Sequence, residues 1–380
     1  MNIDRVNDTS NSRLQSTKLH SKTQNNDEDQ DTFTSAKSTY TKLDNYDYNP
    51  STSTHDLQHV LQTIEQAART AGQIALSTAG QIAIQSTKAN TRDLVTESDV
   101  QCQQIIQEII KSEFPKELFL GEEDVDLSAG GDSSLASRAA LENVLLQRNS
   151  SSDEEDDQER LVFIVDPIDG TTNFQAGLPI YAMSIGVVSL SSSSASSSPP
   201  QVIAGVIYNP TLNEMTSAVR GYGCYLNNQR IQQSSNKQGE HHDYNLPPRT
   251  TLLNQSLINI GFPISKESTL HASSKAITAL STRVRGIRMI ACASQAMSWT
   301  AQSKFHSYFS WDLNGWDIAA GIVIVEESGG MVSDMRTGGK RATIETRDMV
   351  ITCPCERRGE EGLLRDELIG VLRENDCLEY

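Results

Sequence analysis

Carboxylates at the ends of apolar segments are the residues of this chain best suited to chemistry. Asp93 and Asp99 frame Asp93-Leu-Val-Thr-Glu-Ser-Asp99, Glu122 lies in Gly121-Glu-Glu123, Asp166 and Asp169 lie in Asp166-Pro-Ile-Asp-Gly-Thr-Thr-Asn-Phe174, and Asp317 lies in Trp316-Asp-Ile-Ala-Ala-Gly321. Strand ends are where layered α/β proteins build their sites. Carboxylates gathered at one place repel: two charges 4 Å apart cost roughly 4 kcal/mol at an effective dielectric of 20. Such a cluster needs protons or cations between its members, and oxygen-only ligands favour a hard ion such as Mg²⁺. In the segment from Asp166 to Phe174, Pro167 keeps the chain extended and the three-residue step lets one turn aim both aspartates at one ion. Gly170 permits close backbone approach. Thr171 and Thr172 would open a short helix whose free N–H groups can cradle a phosphate.

Each residue also has a plain structural reading. Asp99 can cap a helix, Glu122 can be a solvated strand end, and Asp317 can be a helix N-terminal carboxylate favoured by the dipole. Glu123 is read as a neighbour of the site and Lys88 as a charge balance near it.

The elements that must position these groups show in the hydrophobic periodicity. Residues 1–54 are rich in Ser, Thr, Asn, Asp and Gln, and are expected to be a disordered tail. Order is expected from Asp56, which caps a helix carrying Leu57, Val60, Leu61, Ile64, Ala67, Ala68, Ala71, Ile74 and Ala75 at helical spacing. Further helices are predicted over 98–113, 317–327 and 360–373. Strands are predicted over 118–120, 161–165, 180–190, 202–208, 331–335 and 349–352, with mixed character over 288–309. Three flexible insertions are expected, at about 125–159 with its acidic run, at the Ser-rich 191–200, and at 233–248. Layers of both element types make the fold class α/β.

Composition narrows the function. A net charge of −17 argues against a nucleic-acid partner. No apolar run is long enough to span a bilayer, and the acidic N-terminus suits a transit peptide poorly. The expectation is a soluble cytoplasmic protein without a membrane partner, with a plastid or other organelle left open. The six cysteines form no pairing framework and are read as free thiols, Cys353-Pro-Cys355 included.

Asp166-Pro-Ile-Asp-Gly-Thr-Thr-Asn-Phe174 resembles the signature of the inositol monophosphatase family. Lys88 with the Asp93–Asp99 run, Phe119-Leu-Gly-Glu-Glu123, Gly205-Val-Ile-Tyr-Asn-Pro210, and Trp316-Asp-Ile-Ala-Ala-Gly321 with Glu326-Glu-Ser-Gly-Gly330 resemble further family blocks in the same order. The resemblance spans roughly residues 56–375 apart from the insertions. It implies an alternating α/β/α/β/α sandwich at 55–380, a homodimer, lithium sensitivity and Mg²⁺-dependent hydrolysis of a small phosphomonoester, first of all inositol monophosphate.

Carried over residue by residue, the resemblance gives Glu122, Asp166 and the carbonyl of Ile168 one Mg²⁺, and Asp166, Asp169 and Asp317 a second. A third, weaker ion near Glu122 makes the count two to three. Asp99 and Thr171 would be the catalytic pair that orients a metal-bound water for in-line attack. Glu122, Asp169, Gly170, Thr171, Ala291, Cys292, Ala293 and Asp317 would contact substrate.

Two departures fall on the substrate side. Ser310 stands where many inositol-handling relatives carry Glu, with Asp312 or Asn314 as candidates to replace it. Ala291-Cys-Ala-Ser294 replaces a usual Gly-Ser/Thr-Ala-Ala. The competing readings are a relative acting on histidinol phosphate, a sugar bisphosphate or a 3′-phosphonucleotide, and a catalytically silent scaffold binding partners through its acidic tail.

Overall fold

The structure is a computed structural model that describes residues 53–81, 84–87, 94–125, 133–147, 159–190, 200–231, 250–262, 266–355, 360 and 362–379. The insertions expected at 191–200 and 233–248, the acidic run, Lys88, Asp93 and residues 1–52 lie almost wholly or entirely outside them.

Asp56 caps α1 (Leu57–Thr78), its Oδ1 accepting from the N–H groups of Gln58 at 3.0 Å and His59 at 3.3 Å. Just before it, Ser53 Oγ and the Thr54 N–H donate to Glu159 Oε2 at 2.7 and 3.1 Å. The last two residues assigned to the tail are therefore seated on the folded body, because Glu159 offers acceptors at the foot of a strand. The chain continues through β1 (Ile84–Thr87), β2 (Leu94–Thr96), α2 (Glu97–Glu113), β3 (Leu118–Gly121), α3 (Ser133–Leu146), β4 (Arg160–Asp169) and α4 (Thr171–Gln175). Next come β5 (Ala182–Leu190), β6 (Gln201–Asn209), β7 (Glu214–Val219), β8 (Gly223–Leu226), β9 (Gln229–Arg230), β10 (Leu257–Ile260), α5 (Glu267–Leu280) and β11 (Gly286–Arg288). The last elements are α6 (Ala293–Ala301), β12 (Ser307–Ser310), α7 (Gly315–Glu327), β13 (Met331–Asp334), β14 (Met349–Thr352) and α8 (Leu363–Glu374).

Among the described residues the strands form three sheets. A seven-stranded sheet runs β3-β4-β5-β6-β7-β8-β9, parallel between β3 and β4 and antiparallel thereafter. A five-stranded sheet runs β11-β10-β12-β14-β13, and β1 pairs with β2. Helices α1 and α2 cover one face of the large sheet, α6 and α7 fill the space between the two large sheets, and α5 and α8 cover the outer face of the smaller one. The result is an α/β/α/β/α sandwich.

Coverage on both faces explains why β4 and β5 are buried almost end to end and read as continuous apolar runs. The glycines of β5 and β6 let α7 lie close on the sheet. A Cβ on Gly205 would come within 2.8 Å of Ala320 Cα, and one on Gly186 would collide with Ala319.

The expectation of a flexible insertion over 125–159 needs correction, because α3 forms there. Ser137 and Leu141 on its inner face are buried, and Ala136, Ala140 and Val144 pack against the central core. That face repeats at helical spacing, but the acidic run after it masked the signal. Strands β7 to β9 and helix α5 were not anticipated either. All six cysteines are free, and among the described residues no helix is long and apolar enough to cross a membrane.

Candidate active site

The site is built where β4 ends. Asp166 lies opposite Ser184 and Asp169 opposite Ala182, so the register slips between them and both stand at the strand terminus. Gly170 then takes φ 87°, the left-handed region, and α4 starts at Thr171. A side chain at 170 would also meet Ile180 O at 3.1 Å and Cys292 Cβ at 3.2 Å.

Thr171 Oγ1 is within hydrogen-bond reach of Ile168 O at 3.1 Å and, at a longer 3.4 Å, of Asp99 Oδ1. Asp99 is only 2% exposed. Its Oδ2 accepts from the N–H and the hydroxyl of Thr96 at 2.8 and 2.5 Å, closing a capping box at the start of α2. Asp99 therefore caps α2 with one carboxylate oxygen and turns the other toward Thr171.

Glu122 opens the turn after β3. Gln103 holds that turn, donating from Nε2 to Asp124 Oδ1 at 3.0 Å and accepting from the Glu123 N–H at 2.9 Å. Asp317 sits in the first turn of α7, where the Asn314 N–H donates to its Oδ2 at 2.7 Å. The start of α6 faces Asp169. The Ser294 N–H donates to Asp169 Oδ2 at 2.5 Å, and Cys292 Sγ lies 3.4 Å from Asp169 O. Asn173 Nδ2 ties the same corner to Ile180 O and Ile290 O, both at 2.8 Å.

Electrostatics links the groups that these bonds do not. Burial is the largest influence on Asp169 and pushes its carboxyl up, against the hydrogen bonds from Ser294. Burial also pushes Asp317 far above the usual carboxylate range, and the negative charges of Asp169 and Glu122 add to it. Both aspartates keep part of their surface accessible, yet protein surrounds each closely enough that desolvation dominates. Burial, then Asp169, likewise raise the thiol of Cys292 and the phenol of Tyr308.

The structure therefore joins Asp99, Ile168 and Thr171 by hydrogen bonds, joins Asp169 to Cys292 and Ser294, and brings Asp317 into the field of Asp169 and Glu122. Asp166 is buried at the end of β4. Sequence reading missed Gln103 and Tyr308. A tyrosine two residues before Ser310 shares its face of the strand, and that period was the available signal.

On the substrate side, Ser310 is 3% exposed and lies against Gly261, where a Cβ would collide with it. Asp312 is not free to take the place of the missing Glu. Arg347 grips its Oδ1 from Nη2 at 2.7 Å and Nε at 3.0 Å. Asn314 is occupied as the N-cap of α7. Ala291 adopts φ 52°, a conformation that glycine takes freely and alanine does not.

Among the described residues no three His, Cys, Asp or Glu side chains are gathered closely enough to make a finished metal site. The donor chemistry nevertheless suits a hard cation: the groups are carboxylates, and burial, then the charges of Asp169 and Glu122, raise Asp317, a shift that a nearby cation would offset. The sequence model of the inositol monophosphatase family matches residues 56–367. The chain belongs to that family. An inositol-1-monophosphatase of Synechocystis is 31% identical over 301 residues, covering 77% of this chain and 88% of the relative. A fructose-1,6-bisphosphatase/inositol-1-monophosphatase of Thermotoga maritima is 28% identical over 287 residues, 76% of this chain and 85% of the relative. Among solved structures, the extragenic suppressor protein suhB of Bartonella henselae superposes with a TM-score of 0.62 at 25% identity, covering 83% of this chain and 99% of that one. Family membership makes the chain a hydrolase of the phosphatase type.

Proposed function

We propose that this chain hydrolyses a small phosphomonoester with Mg²⁺ as cofactor, through Asp99 and Thr171. The observation that carries the reading is the Thr171 hydroxyl, set between Ile168 O and Asp99 Oδ1 at the turn that also bears Asp166 and Asp169.

Thr171 Oγ1 can accept a proton from the attacking water while passing its own to Asp99 Oδ1, as the water oxygen bonds to phosphorus, the ester P–O bond breaks and the leaving alkoxide takes a proton from solvent. Asp99 is fixed for this by Thr96, which occupies its other oxygen. The N–H groups of Gly170 and Thr171 are proposed to hold phosphate oxygens where charge grows during in-line attack. Glu122, Asp166, Asp169, Asp317 and the carbonyl of Ile168 are the proposed holders of Mg²⁺, which when bound lowers the pKa of water and offsets phosphate charge. A homodimer and lithium sensitivity belong to the same reading.

Inositol monophosphate is the first substrate to test. A sugar bisphosphate is the second, favoured by Ser310 in place of a longer acid and by the grip of Arg347 on Asp312. The Thermotoga relative carries both activities in its name. The test is phosphate release from inositol 1-phosphate, fructose 1,6-bisphosphate, glycerol 2-phosphate, histidinol phosphate and a 3′-phosphonucleotide, with and without Mg²⁺. Release from none of them overturns the reading.

A further inference from the structure

Helix α3 occupies a stretch between β3 and β4 that none of the family-like blocks covers, and it leans on the start of α7. Ser137, 3% exposed on its inner face, donates to Asn314 Oδ1 at 2.8 Å. Arg347 Nη1 donates to the same Ser137 hydroxyl at 3.3 Å. Arg347 also grips Asp312, and its carbonyl accepts the Leu313 N–H at 2.9 Å. Residues 312–314 are therefore held between α3 and Arg347, with Asp312 kept at φ 56°.

Apolar packing does not carry this seat by itself. Leu141 reaches Gly315, but a cavity of about 50 Å³ opens beside it, lined by Ser137, Leu141, Leu313, Gly315, Ile344 and Arg347 among others. The hydrogen bond from Ser137 bears on the segment that matters most. Asn314 is the N-cap of α7, and its N–H fixes one oxygen of Asp317.

We propose that Ser137 is a positioning residue: from a helix outside the family-like blocks it holds Asn314, and through Asn314 it sets the carboxylate of Asp317 in the first turn of α7. The inference rests on the reading of Asp317 as a Mg²⁺ holder. Without the Ser137 hydroxyl, the side chain of Asn314 loses a donor and α7 can shift against the sheet end. The effect reaches the ion and the chemistry before it reaches global stability, because the bond from Ser137 meets α7 at its N-cap, one turn from Asp317.

The experiment compares the full chain with Ser137→Ala, Ser137→Thr and Ser137→Val. Thr and Val have the same shape, so their difference isolates the hydroxyl even if the Ala variant does not fold. The Mg²⁺ concentration giving half of the maximal rise in melting temperature is measured, with kcat and KM for whichever ester the wild type releases best. Ser137→Ala and Ser137→Val are expected to need about three- to tenfold more Mg²⁺ and to lose kcat by a similar factor, with KM nearly unchanged. Ser137→Thr is expected to restore both. A wild-type Mg²⁺ midpoint in Ser137→Ala or Ser137→Val, or equal behaviour of Thr and Val, overturns the inference. A wild type whose melting does not respond to Mg²⁺ overturns the reading of the site itself, so the two failures are distinguishable.

Discussion

The two ends of α7 treat buried carboxylates in opposite ways. At its C-terminal end burial alone would push Glu326 up, but Arg220 and Arg341 outweigh it and hold the group below the usual range. Arg220 Nη1 lies 2.8 Å from Glu326 Oε2, and Arg341 grips both oxygens at 2.6 and 2.9 Å. Glu327 beside it accepts from the N–H groups of Gly221 and Gly223 at 3.0 and 2.9 Å, although burial still raises it. The helix dipole disfavours acids at this end, so cationic partners are needed. At the N-terminal end the dipole favours Asp317, yet burial and then the charges of Asp169 and Glu122 push its carboxyl well above the usual range. A buried acid with cations beside it is finished structure; one with other acids beside it has the perturbed environment typical of a candidate functional site.

The largest effect is expected from neutralising the unfinished end. Asp169→Asn should cut phosphate release by about a hundredfold or more. The melting temperature of the Mg²⁺-free protein should hold or rise, because a carboxyl that burial penalises becomes a neutral amide. Stability that falls together with activity would show that Asp169 is mainly a structural acceptor for Ser294.

Breaking the finished end should do the reverse. Arg220→Ala leaves Glu326 with half of its cations and is expected to destabilise the fold by about 3–5 kcal/mol. Activity per folded molecule should remain near wild type. Denaturant melts and an activity assay on the folded fraction check both halves.

The two ends also separate by pH. Because the folded pKa of Glu326 is depressed, its contribution is fully present above the ordinary glutamate value of about 4.3 and is lost as pH falls through the lower folded value. Glu326→Gln should therefore lower stability at pH 7 and flatten this part of the acid limb. An unaltered acid limb in Glu326→Gln would remove Glu326 from the account.

The smallest effect concerns Ala291. A non-glycine residue at φ 52° costs about 1–2 kcal/mol, and glycine there gives part of that back as unfolded-state entropy. Ala291→Gly should raise stability by about 0.5–1 kcal/mol, measured as a shift in the denaturant midpoint. A fall in stability would mean that the surrounding corner has adapted to the methyl group.

Much of this was legible in the chain, and the reason is locality. The α1 cap at Asp56, the apolar runs of β4 and β5, and the tight turn from Asp166 through Gly170 to Thr171 depend on residues a few positions apart. Periodicity and turn chemistry express them directly. Helix α3 was legible in principle, through Ser137, Ala140, Leu141 and Val144, but an acidic neighbour hid it. What only the tertiary structure decided lies between residues far apart in sequence. Asp317 raised by burial and then by Asp169 and Glu122, Asp312 gripped by Arg347, Asn314 held by Ser137, and Glu326 paired with Arg220 and Arg341 all require separate elements to meet. Composition and spacing determine which groups can carry charge; which charge stands opposite them in a low-dielectric interior is a property of the packed layers, and that property separates the structural end of α7 from the candidate catalytic one.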